Sequence, residues 1–158
     1  MMNFKVLNKK EIKKILGNLQ NQFSIKELNL DYVFLINRDN KIYITNRYIS
    51  KIDLNKLRIN NIGLYFAKIE DDGIRLSIEG SQIIGKNAKK NVIDLSLEDS
   101  KSWFLGKDLI YNGDIKGYII LTHRNDILGC GKIKNNKILN FIDKGRRIKT
   151  EDILYLSQ

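Results

Sequence analysis

Short apolar runs, each ended by glycine or by an Asn or Asp turn, follow one another through the second half of the chain. β-Branched and aromatic residues dominate these runs, so each run is predicted to be a strand. The predicted strands lie at 92–95, 116–122, 127–134, 137–142 and 153–157. One short helix interrupts them, and it begins after Ser96, which supplies an N-cap hydroxyl. Five or six short strands with one helix imply a small, partly closed β-barrel.

The first half of the chain mixes helix and strand signals. Asn8 and Glu11 have the spacing of a capping box, and the apolar residues after them recur at helical intervals, which predicts a helix over 9–20. A second, shorter helix is predicted over 78–85. Two strand pairs are predicted between these helices, at 32–36 with 41–45 and at 62–69 with 74–77.

The polar and cationic stretch 86–91, which has weak structural signals, is the best candidate for a domain boundary. A division there gives a small mixed α/β domain over 1–91 and a β-rich domain over 92–158, so the expected fold class is α+β. The second domain holds 11 Lys and Arg against 9 Asp and Glu. Its bases nevertheless gather at 128–149, where seven bases accompany a single acid, Asp143.

The composition narrows the possible functions. A net charge of +10 favours a polyanionic partner, although solubility combined with lysine-rich codon usage is an equally good reading of the total alone. The single cysteine and single histidine cannot form an internal disulfide or a zinc site. No nucleophile–base set is visible, so we expect no catalytic residues, no metal and no cofactor. The absence of a signal peptide or of an apolar run near the roughly 20 residues of a membrane span predicts a cytoplasmic protein without a membrane partner.

Four segments of the second half occur in a familiar order. They read GKDLIYNGDI at 106–115, GYIIL at 117–121, ILGCGK at 127–132 and KGRRI at 144–148. Together they resemble the PUA domain, the RNA-binding module of pseudouridine synthases and archaeosine transglycosylases. The sequence most resembles the PUA-like tail of Sun-family RNA cytosine methyltransferases, and it is also similar to archaeal stand-alone proteins that join a pre-PUA domain to a PUA domain. This resemblance implies a C-terminal PUA-like β pseudo-barrel with one or two short helices, whereas the first 91 residues match only through their position and mixed α/β character.

Phosphate binding needs cations on a rigid frame and backbone N–H groups that glycine lets a ligand approach. The expected RNA-binding residues are Gly106, Lys107, Tyr111, Asn112, Gly113, Lys132, Lys134, Lys144, Gly145, Arg146, Arg147 and Lys149. The alternative is that the glycines only form turns with positive φ and that the bases form a solvated face. Trp103 is expected in the core, while Tyr111 lies in a turn where its ring can stack on an unpaired base.

The resemblance implies a non-enzymatic protein that recognises structured tRNA or rRNA in RNA modification or ribosome biogenesis. Its protein partner would be an RNA-modifying enzyme or a ribosome-assembly factor. The alternative is a regulatory subunit that docks on an RNA-modifying enzyme and has little direct contact with RNA. Direct phosphate binding predicts an affinity that falls steeply with salt, and this separates the two hypotheses.

Overall fold

The computed structural model describes residues 3–47 and 63–152, which form two five-stranded sheets. The strands of the first sheet are β1 (Lys5–Val6), β2 (Val33–Ile36), β3 (Lys41–Thr45), β4 (Leu64–Glu70) and β5 (Gly73–Leu76). They lie in chain order, and every neighbouring pair is antiparallel. The two predicted strand pairs are therefore confirmed as β2–β3 and β4–β5.

The second sheet is formed by residues from the other half of the chain. Its strands are β6 (Val92–Asp94), β7 (Leu109–Ile110), β8 (Gly117–His123), β9 (Asp126–Lys134) and β10 (Lys137–Leu139). The spatial order is β6-β8-β9-β10-β7, with β6 parallel to β8 and the other pairs antiparallel. The sheet curls into a half-barrel, as the strand spacing predicted. The predicted strand at 153–157 lies outside the described residues.

Three α-helices lie wholly within the described residues, and their caps follow from the sequence. They are α1 (Lys9–Phe23), α2 (Ile78–Ile84) and α3 (Leu97–Phe104). The capping box of α1 is complete, because the Asn8 side chain accepts from the Glu11 N–H and the Glu11 carboxylate accepts from the Asn8 N–H, both at 2.9 Å. This helix runs beyond the predicted residue 20 because Phe23, in its last turn, is fully buried.

Strand β8 connects two hydrophobic cores. Tyr118 and Ile120 pack into the core beneath α1, together with residues of the first sheet. Ile119 and Leu121 point the other way, into a second core that surrounds Trp103. A strand buried on both faces reads as a continuous apolar run, which is what residues 118–121 show. The two sheets therefore share packing through β8.

The stretch 86–91 is hydrogen-bonded to the end of α1. The backbone N–H groups of Lys89 and Lys90 both donate to the carbonyl oxygen of Phe23, at 2.9 and 3.1 Å. The Asn91 side chain donates to the carbonyl oxygen of Gln22 at 2.7 Å. Beyond the short 3₁₀ turn at Gly85–Asn87, residues 88–91 form neither helix nor strand, as the weak signals predicted, and the end of α1 supplies acceptors for their polar groups. The division of the chain into domains at residue 91 stays a prediction.

Within the described ranges, no helix is both long enough and apolar enough to cross a membrane.

Candidate nucleic-acid interface

Gly106 and Arg147 are in direct contact. Gly106 follows α3 with a φ of 89°, and a Cβ atom there would overlap the Arg147 guanidinium. The Arg147 Nε donates to the carbonyl oxygen of Ile142 at 3.1 Å, and the N–H of Ile148 donates to the carbonyl oxygen of Phe104 at 2.9 Å. These contacts fix segment 142–148 to the end of α3. Both predicted RNA-binding residues thus have a structural role, and their contact with RNA stays a prediction.

Arg146 forms an ion pair across the two halves of the chain. Its Nη2 atom lies 2.6 Å from the Oε1 atom of Glu79 in α2. Partial burial alone would raise the pKa of Glu79, but the hydrogen bond from Arg146 brings that pKa below its ordinary value. Arg146 keeps about half of its side-chain surface exposed, 49%, so its guanidinium still faces solvent in part.

Lys132 is also paired with the first half of the chain. Its Nζ atom lies 2.5 Å from Asp72 Oδ2, in the turn between β4 and β5, and 5.2 Å from the centroid of the Tyr118 ring. The Tyr118 hydroxyl donates to the other oxygen of Asp72 at 3.1 Å. The hydrogen bond from Lys132 lowers the pKa of Asp72, and burial together with Asp72 raises the pKa of Tyr118. Lys132 is therefore already neutralised by a partner within the molecule.

Tyr111 organises its own turn. Its hydroxyl accepts from the N–H of Ile115 at 3.1 Å, and a Cβ atom at Gly113 would overlap that hydroxyl. Tyr111 also packs against the core around Trp103. The ring therefore holds the 111–115 turn together, which accounts for glycine at position 113 without any ligand.

The other predicted residues are exposed at the surface. Lys134 lies directly opposite Lys137 in the β9–β10 hairpin, so two like charges are neighbours there. The backbone at Gly145 is open, because nothing lies within 4 Å of where a side chain would begin. Besides Arg146, the exposed members of the predicted set are Lys107, Asn112, Gly113, Lys134, Lys144, Gly145 and Lys149.

A cleft between the two sheets was not predicted from the sequence. We call it the inter-sheet cleft; it has a volume of about 370 Å³. Its lining includes Lys41, Tyr43, Tyr65 and Arg75 from the first sheet, and Phe141 and Arg146 from the tail. Only Arg146 of these residues had been expected at a binding site. The sequence signal for the others is an alternation of cations with tyrosines along β3–β5, which becomes visible only once the strand register is known.

Cys130 and Trp103 lie at the base of this cleft. Cys130 is buried, and burial raises the pKa of its thiol to about 12, so it is protonated and packs as a small apolar residue, as expected. Trp103 is only 1% exposed, which confirms its predicted place in the core. Its Nε1 atom has no hydrogen-bond partner among the described residues. Within residues 3–47 and 63–152, no group of three or more His, Cys, Asp or Glu side chains is arranged to hold a metal ion.

The second sheet and the segment that Arg147 anchors coincide with a known family. Residues 90–148 match the family model described as the methyltransferase RsmF PUA domain. These residues form a PUA domain. The resemblance seen in the four sequence segments is thereby confirmed. The PUA domain begins just before β6 and ends with the residues that contact the end of α3.

Curated relatives are similar to more of the chain than the PUA domain. The ribosomal RNA small subunit methyltransferase F of Aliivibrio salmonicida (strain LFI1238) is 30% identical over 139 residues, 87% of this chain and 28% of that protein. The protein of the same name from Vibrio vulnificus (strain YJ016) is 26% identical over 103 residues, 65% of this chain and 22% of that protein. The chain thus spans less than a third of the length of these relatives.

A solved structure shares the fold of both sheets. The crystal structure of a PUA domain from Aeropyrum pernix K1, in complex with tartrate, superposes with a TM-score of 0.56 at 11% sequence identity. The superposition covers 93% of this chain and 90% of that one. At this identity the likeness shows the fold alone.

Proposed function

We propose that this chain is a cytoplasmic, non-enzymatic RNA-binding protein that recognises structured rRNA or tRNA during RNA modification or ribosome biogenesis. The observation that carries the proposal is the PUA domain at 90–148, because the matching family is named after a methyltransferase and the relatives are named as acting on ribosomal RNA. An RNA-modifying enzyme or a ribosome-assembly factor is the protein partner that suits this role.

The exposed bases of the PUA domain provide the means of holding RNA. Structured RNA is recognised largely through its shape and its phosphates, so lysines on a rigid sheet and open backbone are suitable contacts. Lys134 lies at the end of a hairpin, and Lys144 precedes the open backbone at Gly145. Arg146 and Lys132 would contribute less, because each already has a carboxylate partner within the molecule.

The proposal is tested by measuring how the full chain binds a small-subunit rRNA transcript and a tRNA across a series of salt concentrations. Direct phosphate binding predicts that log K falls with log[salt] by about 0.9 per contacted phosphate in a duplex and about 0.7 in a single strand. The double variant Lys144→Ala with Lys149→Ala should bind more weakly and show a shallower slope. Arg147 is unsuitable for this test, because its side chain packs against Gly106 and donates to the carbonyl oxygen of Ile142, so its loss would also disturb the local structure.

The matched control removes the same charge elsewhere. Lys13→Ala with Lys14→Ala takes two exposed lysines from α1 and should leave the slope close to that of the wild-type chain. Equal effects of the two double variants would mean that net charge, and no particular face, attracts the RNA. A wild-type chain that binds neither RNA at low salt would contradict the proposal and favour the regulatory-subunit alternative.

A further inference from the structure

The outer face of the first sheet, opposite α1, carries charged and aromatic side chains. Along β3, Ile42 and Ile44 point into the core beneath α1, so the alternating residues Lys41 and Tyr43 point to the opposite face. Ile74 and Leu76 of β5 likewise enter that core, which places Arg75 on the outer face. This outer face forms one wall of the inter-sheet cleft.

Three cations form a row across the outer face. Lys41 on β3 is the register partner of Lys68 on β4, and Lys68 is the register partner of Arg75 on β5. Like charges directly opposite each other on a sheet destabilise it. Glu70 offsets part of this repulsion, since its Oε1 atom lies 3.5 Å from Lys68 and 3.8 Å from Arg75. A row of three cations, of which only Lys68 and Arg75 share this carboxylate, is suited to an anionic ligand.

Two tyrosines lie beside the cation row. Tyr43 and Tyr65 are register partners, and their ring centroids are 5.5 Å apart. Tyr43 is 7% exposed, whereas Tyr65 is only partly buried, so Tyr65 is the ring that a ligand can reach. The Lys41 ammonium lies 5.6 Å from the centroid of the Tyr65 ring. An aromatic ring flanked by cations is the arrangement that single-stranded nucleic acid binds, with a base stacked on the ring and phosphates beside it.

The tail of the PUA domain forms the facing wall. Phe141 lies beneath the Arg75 guanidinium, 4.2 Å from ring centroid to Cζ, and Arg146 adds a further cation. Asp143 is the acid in the lining, so cations predominate. The cleft volume of about 370 Å³ lies at the lower end of the range of roughly 300–1,000 Å³ found for small-molecule sites, which suits one nucleotide.

We propose that the inter-sheet cleft holds one unpaired nucleotide of the bound RNA, with its base on Tyr65 and its phosphate on Lys41 and Arg75, which line the cleft, while Lys68 between them adds positive charge. This proposal rests on the proposed RNA-binding function and adds a second contact region, formed jointly by the first sheet and the PUA domain. An acidic peptide would also be attracted by the cations, but it would not use the face of the Tyr65 ring. RNA is therefore the ligand that the combination of ring and charge favours.

The aromatic part of the site is tested with two variants of the full chain and the small-subunit rRNA transcript. Tyr65→Leu keeps an apolar side chain but removes the ring, and it should weaken RNA binding about tenfold, within the range of base–aromatic stacking. Tyr65→Phe keeps the ring and should bind within about twofold of wild type. Ultraviolet crosslinking of the transcript should identify the peptide that contains Tyr65. Equal binding by Tyr65→Leu and wild type would overturn the proposal.

The cation row is tested by a variant whose stability and binding change in opposite directions. Lys41→Gln with Lys68→Gln should weaken RNA binding and reduce the salt slope, while it raises the urea midpoint of unfolding because repulsion across the sheet is relieved. Lys13→Ala with Lys14→Ala, on the other side of the sheet, serves as the control for charge. If Lys41→Gln with Lys68→Gln raises the urea midpoint of unfolding but leaves RNA affinity unchanged, the proposal is overturned.

Competition distinguishes the source of the ligand. Uridine monophosphate at millimolar concentration should compete weakly with the transcript, and Tyr65→Leu should abolish this competition. If polyglutamate displaces the transcript from the wild-type chain while uridine monophosphate does not, an acidic peptide is the ligand and the proposal is wrong. If uridine monophosphate no longer binds the Tyr65→Leu variant but the variant keeps full RNA affinity, the cleft binds a free nucleotide and not a nucleotide of the RNA, and the proposal is wrong. If the wild-type chain binds no RNA, the proposed function is wrong as well. If the wild-type chain binds RNA and the variants bind it with the same affinity, only the cleft proposal is wrong.

Discussion

Arg146 in the tail of the PUA domain donates a hydrogen bond to Glu79 at the start of α2, with 2.6 Å between Nη2 and Oε1. A residue expected to bind phosphate is thus held by a carboxylate from the other half of the chain. The pair also places Arg146 at the rim of the inter-sheet cleft. If RNA binds at this face as proposed, a phosphate that approaches Arg146 has to compete with Glu79, and this acid would then weaken the contact.

Replacement of Glu79 by glutamine is expected to increase RNA affinity. The change removes the negative charge but keeps the side-chain size, so the Arg146 guanidinium becomes available to a phosphate. The slope of log K against log[salt] should steepen by at most about 0.9, the contribution of one phosphate contact. Filter binding at several salt concentrations measures both quantities. The control for net charge is Glu98→Gln, which replaces an exposed acid in the first turn of α3. If RNA affinity rises equally in both variants, Arg146 has no specific part in binding.

The same ion pair predicts how stability depends on pH. Because the pKa of Glu79 in the folded chain lies below its ordinary value of 4.5, the folded state holds this proton less tightly than the unfolded state. The contribution to the free energy of unfolding is therefore present above about pH 4.5 and is lost as the pH falls through the lower, folded-state value. Urea unfolding of Glu79→Gln should show a smaller loss between neutral and acidic pH than the wild-type chain shows. An identical loss in both proteins would contradict this assignment.

The strands of the PUA domain were predictable because their signals are local. Residues 117–123 are a nearly continuous run of apolar and β-branched residues, and 126–134 combines apolar residues with two glycines. The Arg124 and Asn125 pair between them has the positive φ values that the hairpin turn needs. The two-residue strands β1 and β7 were missed because so short a segment carries no periodicity, and each is defined only by its partner.

The roles of the cations were not predictable from local patterns. Lys132 and Arg146 stand in a basic segment that looks free in the sequence, but their partners, Asp72 and Glu79, come from the other half of the chain. The row of cations on the first sheet depends on the register of β3 with β4, which shifts between Ile42 and Tyr43. A shift of one residue moves every side chain to the opposite face, so only the folded register reveals the row.

Three glycines separate the effect of backbone conformation from that of close packing. Gly145→Ala should be nearly neutral, because its φ is not positive and its surroundings are open. Gly117→Ala should cost about 1–2 kcal/mol, since φ is 82° but no atom lies nearby. Gly106→Ala should cost more than Gly117→Ala by about 1 kcal/mol or more, because the new Cβ also displaces Arg147 from its hydrogen bond with Ile142. Urea unfolding measures all three, and equal costs at Gly106 and Gly117 would show that the Arg147 contact contributes nothing.

Substitutions at Trp103 should show that its ring, and not its N–H group, stabilises the PUA domain. Trp103→Ala removes a large side chain from a core with little room to relax, and should cost about 3–5 kcal/mol. Trp103→Phe keeps most of the buried ring and removes the Nε1 donor, which has no partner in the described part of the chain. A buried donor without a partner destabilises the fold by about 1–3 kcal/mol. Its removal therefore offsets the stability that is lost because phenylalanine fills less of the core. Trp103→Phe should therefore lie within about 1.5 kcal/mol of wild type in urea unfolding; a loss as large as that of Trp103→Ala would mean that the N–H group has a partner in solution.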